Sequence, residues 1–377
     1  MKLTTLTLII VCTLFAWTNV FAIERISIGP GGEGVAIDTR TQTAFITSKS
    51  YTGLGAKPVD TGTISIIDLK TKQVTKVIEV GGVPVGPAIN EDTNTLVFSD
   101  KANNEVVLLD LATGAERARI PVGVNPSCVG IDPQHNIATV ASVDDSEVYV
   151  IDLASAKITQ TIPVNPAPIC MHQCINPNDT TAIVSHFGGD ALTVMDIENG
   201  RVLKTIPVEG ALSSGASLNP QTNTAVVPLR DDNAAAIIDL SSGTVTYIVP
   251  VGAFPVCSVI QEETNTAFIS NYVGGSVSAI DLSTGTLIHT LEGVGEGATC
   301  MAIDEAQNLL VVSTHSGDTT LIPLDEFIGG TPTSVEPKDK HLTFWGLMKQ
   351  VFHGSNNPPA VPAAPQHGKT VPACCGH

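Results

Sequence analysis

The chain has 377 residues, 43% hydrophobic, 4% aromatic and 15% charged, a length that buries either one large all-β domain or two ordinary ones. With 37 acidic against 19 basic side chains it carries a formal charge of −18, so phosphate backbones are repelled and nucleic acid is disfavoured as the main ligand. The same balance favours solubility and basic partners.

The first 22 residues read as a cleavable export signal: Lys2 at the start, the apolar run "LTTLTLIIVCTLFAW", then "VFA" ending on Ala22. Cys12 follows "IIV", which lacks the small residue expected before a lipidated cysteine. The mature chain is therefore expected from about Ile23, in an oxidising periplasmic, secreted or cell-surface setting. No later stretch is long and apolar enough to span a bilayer.

Next comes "IERISIG", which has the pattern of an outer strand. It precedes six copies of one unit, among them "SIIDLKTKQVTKVIEVGG", "VLLDLATGAERARIPVGV" and "AIIDLSSGTVTYIVPVG". Their marker aspartates are Asp68, Asp110, Asp152, Asp196, Asp239 and Asp281, spaced by 42, 42, 44, 43 and 42 residues. One further step lands in "TTLIPLDEF", a degenerate seventh copy. Each unit holds four strand signals; in the third these are "SCVGI", "IATVAS", "EVYVID" and "KITQTIPV", punctuated by turn residues. Four strands in about 42 residues predict a propeller blade, with a β-helix or linear solenoid as runner-up. The seventh copy has only three strands, so "IERISIG" is expected to complete it and close the ring, removing two exposed edges. The expectation is an all-β, seven-bladed propeller over residues 23–327.

"NEDTNTLVFSD", "NPQTNTAVV" and "QEETNTAFISNYVGGSVSAIDLSTG" resemble the YVTN family of propeller repeats, found in exported bacterial and archaeal surface-layer and periplasmic proteins. The resemblance implies the fold and an export setting, but little about function. It also implies that ligands sit around the channel mouth, on the face reached by the loops leading into each innermost strand and by the loops joining strands two and three.

The leading loops read "GPGGEG", "GGVPVG", "GVNPSC", "NPAPIC", "EGALSSG", "GAFPVC" and "GVGEGATC". Aligned, they give a column of Gly34, Gly86, Cys128, Cys170 or His172, Gly215, Cys257 and Cys300. Blade four adds His172 and Cys174 in "CMHQC", which share one face if that stretch is an extended strand. Three readings compete. The column is a crowded place where cysteine acts as a small hydrophobe; it holds disulfides, Cys128 with Cys170 and Cys257 with Cys300; or it is a thiolate and imidazole site for copper or zinc. His186 and His315, from the second-to-third strand loops, are candidate imidazoles for the last. Glu33, Asp100, Lys101, Arg230, Asn271 and Glu296 are further mouth candidates. Nucleophile-elbow, phosphate-loop, HExxH and CxxCH signatures are missing from the sequence.

From residue 328 the repeat stops. A linker leads to "HLTFWGLMKQVFH", 341–353, whose Leu342, Trp345, Met348 and Phe352 predict a short amphipathic helix that docks on the propeller or touches a membrane surface. A proline-rich stretch follows, and the chain ends "VPACCGH", where Cys374, Cys375 and His377 suggest a tethered soft-metal or thiol-exchange terminus. The function expected is a non-enzymatic binding scaffold, with copper or zinc captured by the tail and passed to the cysteine column. Its partners would be other exported or cell-surface proteins. The alternatives are a metal-free surface-layer or interaction propeller and a lactonase- or lyase-type propeller enzyme, whose metal site needs carboxylate or histidine ligands rather than thiols.

Overall fold

The computed structural model describes residues 23–29, 31–51, 58–169, 173–210 and 215–328. The export signal, the 341–353 helix and the cysteine tail lie outside the described residues. Seven antiparallel sheets are built from consecutive strands, and the innermost strands touch one another in a closed ring. The second to fifth strands, Gly32–Asp38, Thr43–Tyr51, Pro58–Asp68 and Gln73–Glu79, form blade one. Blade seven has Ala298–Asp304, Leu309–Thr314 and Asp318–Pro323, and its fourth strand is the N-terminal Glu24–Ser27, with Glu24 opposite Leu321. The ring is thus fastened by joining the two ends of the fold, as the missing strand of the last repeat requires.

The repeated sequence marks are turn chemistry. The second residue of "TNT" places Asn94, Asn223 and Asn265 at φ of 54, 53 and 52°, in the left-handed region that asparagine tolerates. Asn90 and Asn219 tie neighbouring blades: Asn90 Nδ2 donates to Asn136 Oδ1 of the next blade at 2.7 Å, and Asn219 Nδ2 to Asn265 Oδ1 at 2.9 Å. The marker aspartates end the third strand and accept the N–H groups of the turn that follows, as in Thr113 N to Asp110 Oδ1 at 2.9 Å. In blades one to six the pairing of third and fourth strands slips by a β-bulge, which adds twist where the blade fans outward.

Inner strands are buried on both faces, whereas the fourth strand of blade one alternates to solvent. The core consists of inter-blade clusters, such as Val97, Val106 and Leu108 of blade two against Val129, Val140 and Ile151 of blade three. A single helical turn, Asp325–Ile328, ends the described chain; Phe327 packs edge-on against Phe268 at 5.0 Å and covers the seam between blades six and seven.

The turn hydrogen bonds hold Asp68, Asp110, Asp152, Asp196 and Asp239 below the usual carboxylate range, led by the Thr71 N–H, the Thr113 N–H, the Ser155 hydroxyl, the Asn199 N–H and the Ser242 hydroxyl respectively. Their contribution to stability is complete above the unfolded aspartate pKa of about 3.9 and is lost as pH falls through the lower folded values. Replacing all five by Asn should lower the melting temperature near neutral pH and flatten its decline in acid. An unchanged acid slope would show that these turns do not carry it.

Candidate functional site at the channel mouth

Seven inner strands converge on one axis, and the column found in the sequence is where they meet. Each described inner strand except those of blades four and five slips its register there, with Glu33, Gly86, Cys128, Val256 and Cys300 among the slipped residues. A Cβ added to Gly86 would lie 2.1 Å from Cys128 Cβ, one on Gly34 2.5 Å from Pro87 Cδ, and one on Gly215 2.3 Å from Cys257 Cα. Gly86 also has φ of 49°. The crevice lined by Gly34, Gly86, Cys128 and Cys300 leaves no room for a water molecule, so these inner strands pack tightly against one another at this level.

Cysteine is used here as the largest residue that fits, and the four described cysteines differ in chemistry. Cys128 is in a disulfide. Cys174, Cys257 and Cys300 are thiols, which leaves the partner of Cys128 among residues outside the description. Cys257 and Cys300 are hydrogen-bonded to each other; that contact and complete burial push the Cys257 thiol well up, so it stays protonated.

Blade four departs from the sequence expectation. Its inner strand is two short pieces, Pro168–Ile169 and Ile175–Asn176, rather than one extended run carrying residues 170, 172 and 174 on a face. Cys174 leaves the axis: it is buried in the core between blades three and four, its Sγ 3.7 Å from Thr139 Oγ1. Gln173, which drew no attention in the sequence, reaches to blade six, where Ile260 N donates to its Oε1 at 2.8 Å and its Nε2 to Ile260 O at 3.1 Å. The Gln173 carbonyl accepts from Leu218 N of the short inner strand Ser217–Asn219 of blade five at 2.9 Å, so this residue joins blades four, five and six. Cys170, His172, Cys374, Cys375 and His377 lie outside the described residues. Among the described residues no three His, Cys, Asp or Glu side chains gather as metal ligands.

Above the ring stands a second tier, one residue per blade, just after the second strand in blades two to seven and within it in blade one: Lys49, Lys101, Val143, Phe187, Arg230, Tyr272 and His315. One backbone bond fixes the equivalence. Lys49 N donates to Gly31 O, Lys101 N to Val83 O, Val143 N to Asn125 O, Tyr272 N to Phe254 O and His315 N to Gly297 O, each acceptor three residues before its ring position. In blade four Phe187 N donates to Ala167 O, which assigns the column position to Cys170 rather than His172.

The tier forms a contact chain. The Arg230 guanidinium lies 4.5 Å from the Phe187 ring centre and 5.5 Å from that of Phe254, and Asp231 holds its Nε at 2.8 Å. Phe254 meets Tyr272 at 6.1 Å, and Tyr272 meets His315 edge-on at 6.0 Å. His315 Nδ1 is 3.9 Å from Glu33 Oε1, to which Lys49 Nζ pairs at 2.6 Å with both charged side chains almost wholly buried. Such a pair is costly to desolvate and breaking it leaves a buried charge, so Glu33 and Lys49 hold each other rigidly.

The other candidates are structural. His186 is buried within blade four, Nδ1 donating to Pro166 O at 3.1 Å and Nε2 accepting from Thr193 at 2.8 Å, and burial lowers its pKa. Asp100 accepts from Val83 N and Ala102 N, both at 3.0 Å, and Asn271 Nδ2 donates to Ser276 and Ser278. Glu296 is exposed in a cleft of about 630 Å³ that runs from Tyr272 and His315 toward Arg25. Aligning the residue after each second strand, as was done for the leading loops, would have revealed the upper tier; the cleft has no such signal.

The molecule is a seven-bladed β-propeller. Among solved structures it is similar to one titled "Kuenenia stuttgartiensis Hydrazine Synthase", with a TM-score of 0.66 and 18% identity over 78% of this chain and 96% of that chain. At that identity the likeness is one of fold. No protein-family profile matches the chain, and no curated protein matches it.

The crowding at the axis makes a specific demand. Gly86→Ala should destabilise the propeller by about 3 kcal/mol, an overpacking cost, in chemical denaturation. A loss indistinguishable from that of an exposed alanine substitution would mean that the ring is loosely packed.

Proposed function

We propose that this protein is an exported binding propeller of the YVTN type, whose ligand or protein partner docks at the mouth of its channel. The observation that carries the reading is the contrast between the two tiers. The ring is kept small in every described blade, while the position directly above it is diversified into cations, aromatics, an imidazole and a valine, and those of blades four to seven and one form a chain of contacts. A repeat fixes the same local packing in each blade and so gives no reason to vary one position so widely, and loops on a rigid scaffold are where binding groups are placed. Contact through the 341–353 segment with a membrane surface belongs to the same proposal, since exported partners would be met there.

A photo-crosslinking residue at Ala102, beside Lys101, should give a defined adduct in the native compartment, and the same residue at Val77 on an outer strand should not. Matching adducts at both positions, or none at Ala102, would sink the mouth reading.

A second reading, soft-metal handling, is supported by the adjacent thiols of Cys257 and Cys300 and by the terminal Cys374, Cys375 and His377. The protonated state of Cys257 and the disulfide at Cys128 weigh against a metal resting at the ring, so the tail would carry the affinity. Elemental analysis of the native protein should then find copper or zinc that disappears when Cys374 and Cys375 become Ser and His377 becomes Ala. Cys257 and Cys300 should react with thiol reagents only after denaturation. A metal-free native protein would remove this reading and leave the cysteines as packing.

A further inference from the structure

The cleft between blades six and seven is built as a site by its backbone. Five of its lining residues are glycines, and at Gly275, Gly295 and Gly297 an added side chain would meet the wall at under 3 Å. Gly297 has φ of 66°, and a Cβ on it would come 2.7 Å from His315 Cβ and 3.1 Å from the Tyr272 ring. The opening of about 630 Å³ is within the range of small-ligand pockets. Its inner end carries the Tyr272 ring and the His315 imidazole, the latter beside the buried Glu33–Lys49 pair.

Its charged groups are of opposite sign and are not used on each other. Arg25, exposed on the closing strand, spends one of its five donors on the carbonyl of Gly293. The Glu296 carboxylate makes no hydrogen bond or ion pair with any described residue, although it lines the same cleft. A cation and an anion held apart in one cleft match a ligand that carries both charges at a separation. A neutral sugar would use neither charge, and a simple anion would be repelled by Glu296.

We propose that this cleft binds short peptides with free termini, the carboxylate on Arg25, the ammonium on Glu296 and a side chain against Tyr272 and Val273. The inference rests on the reading of the mouth face as the binding face and names a ligand class for one sector of it. Carboxylate capture by a guanidinium is a charge-assisted, two-pronged interaction, so each terminus contributes separately.

The test uses full-length mature protein labelled with [15N]glycine and a random tripeptide pool at millimolar concentration. The Gly274, Gly275, Gly293, Gly295 and Gly297 cross-peaks should shift, while those of Gly34, Gly86 and Gly215 at the axis stay in place. An N-acetylated pool should bind about tenfold more weakly to the wild type. Glu296→Gln should bind free and acetylated pools alike, and Arg25→Gln should be indifferent to C-terminal amidation. Val273→Trp, at an exposed rim position, should block binding without disturbing the core. No shift with the free pool, equal binding of a pool capped at both ends, or full binding by Val273→Trp would each overturn the proposal. An adduct at Ala102 with a silent cleft would leave the mouth reading standing and the peptide site refuted; cleft shifts without that adduct would do the reverse.

Discussion

Seven strands cannot meet at one axis unless the residue at the meeting point is small. That steric limit organises the molecule. It explains why glycine and cysteine share one column, why most of the strands slip register there, and why the crevice between them leaves no room for water. The residues just above the column are not held to the same limit, and they are the ones that differ from blade to blade.

The same limit decides what the cysteines can do. A thiol packed between strands and hydrogen-bonded to a second thiol resists ionisation, and ionisation is what metal capture or nucleophilic attack needs. "CMHQC" looked like a ligand trio because its spacing matches one face of a strand. The inner strand of blade four is in two pieces, however, and Cys174 turns into the inter-blade core. Gln173, the unremarked residue in the motif, makes the long-range contact. Periodicity is a valid guide to side-chain direction only where the strand is continuous, and a two-residue insertion is where continuity fails.

Rigidity and openness are divided between seams. The closing strand fastens the ring in blade seven, and a buried ion pair stiffens the mouth end of blade one beside it. Between blades six and seven, glycines hold the walls apart, leaving a cleft whose two charged side chains face solvent. The strand that closes the ring also delivers Arg25 to that cleft, so closure and the proposed recognition share one element.

The fold was legible in the sequence because propeller blades are local. A spacing of about 42 residues, four strand signals per unit, asparagine at left-handed turn positions and an orphan first strand each report on contacts within or next to one repeat. The axial column was legible for the same reason, since it recurs once per blade. What the sequence left open depends on which side chains meet across blades. The Arg230 clamp of Phe187 and Phe254 draws on blades four, five and six, and the Glu33 cluster on blades seven and one. Residues far apart in the chain leave no spacing to read, so only closure of the ring brings Lys49, His315 and Arg25 within reach of one another's surroundings. The chain by itself determined the repeat and the small residue at its centre. The tertiary structure alone decided which unlike residues would share the mouth, because a repeat places equivalent positions side by side but does not say which of their differing side chains will meet.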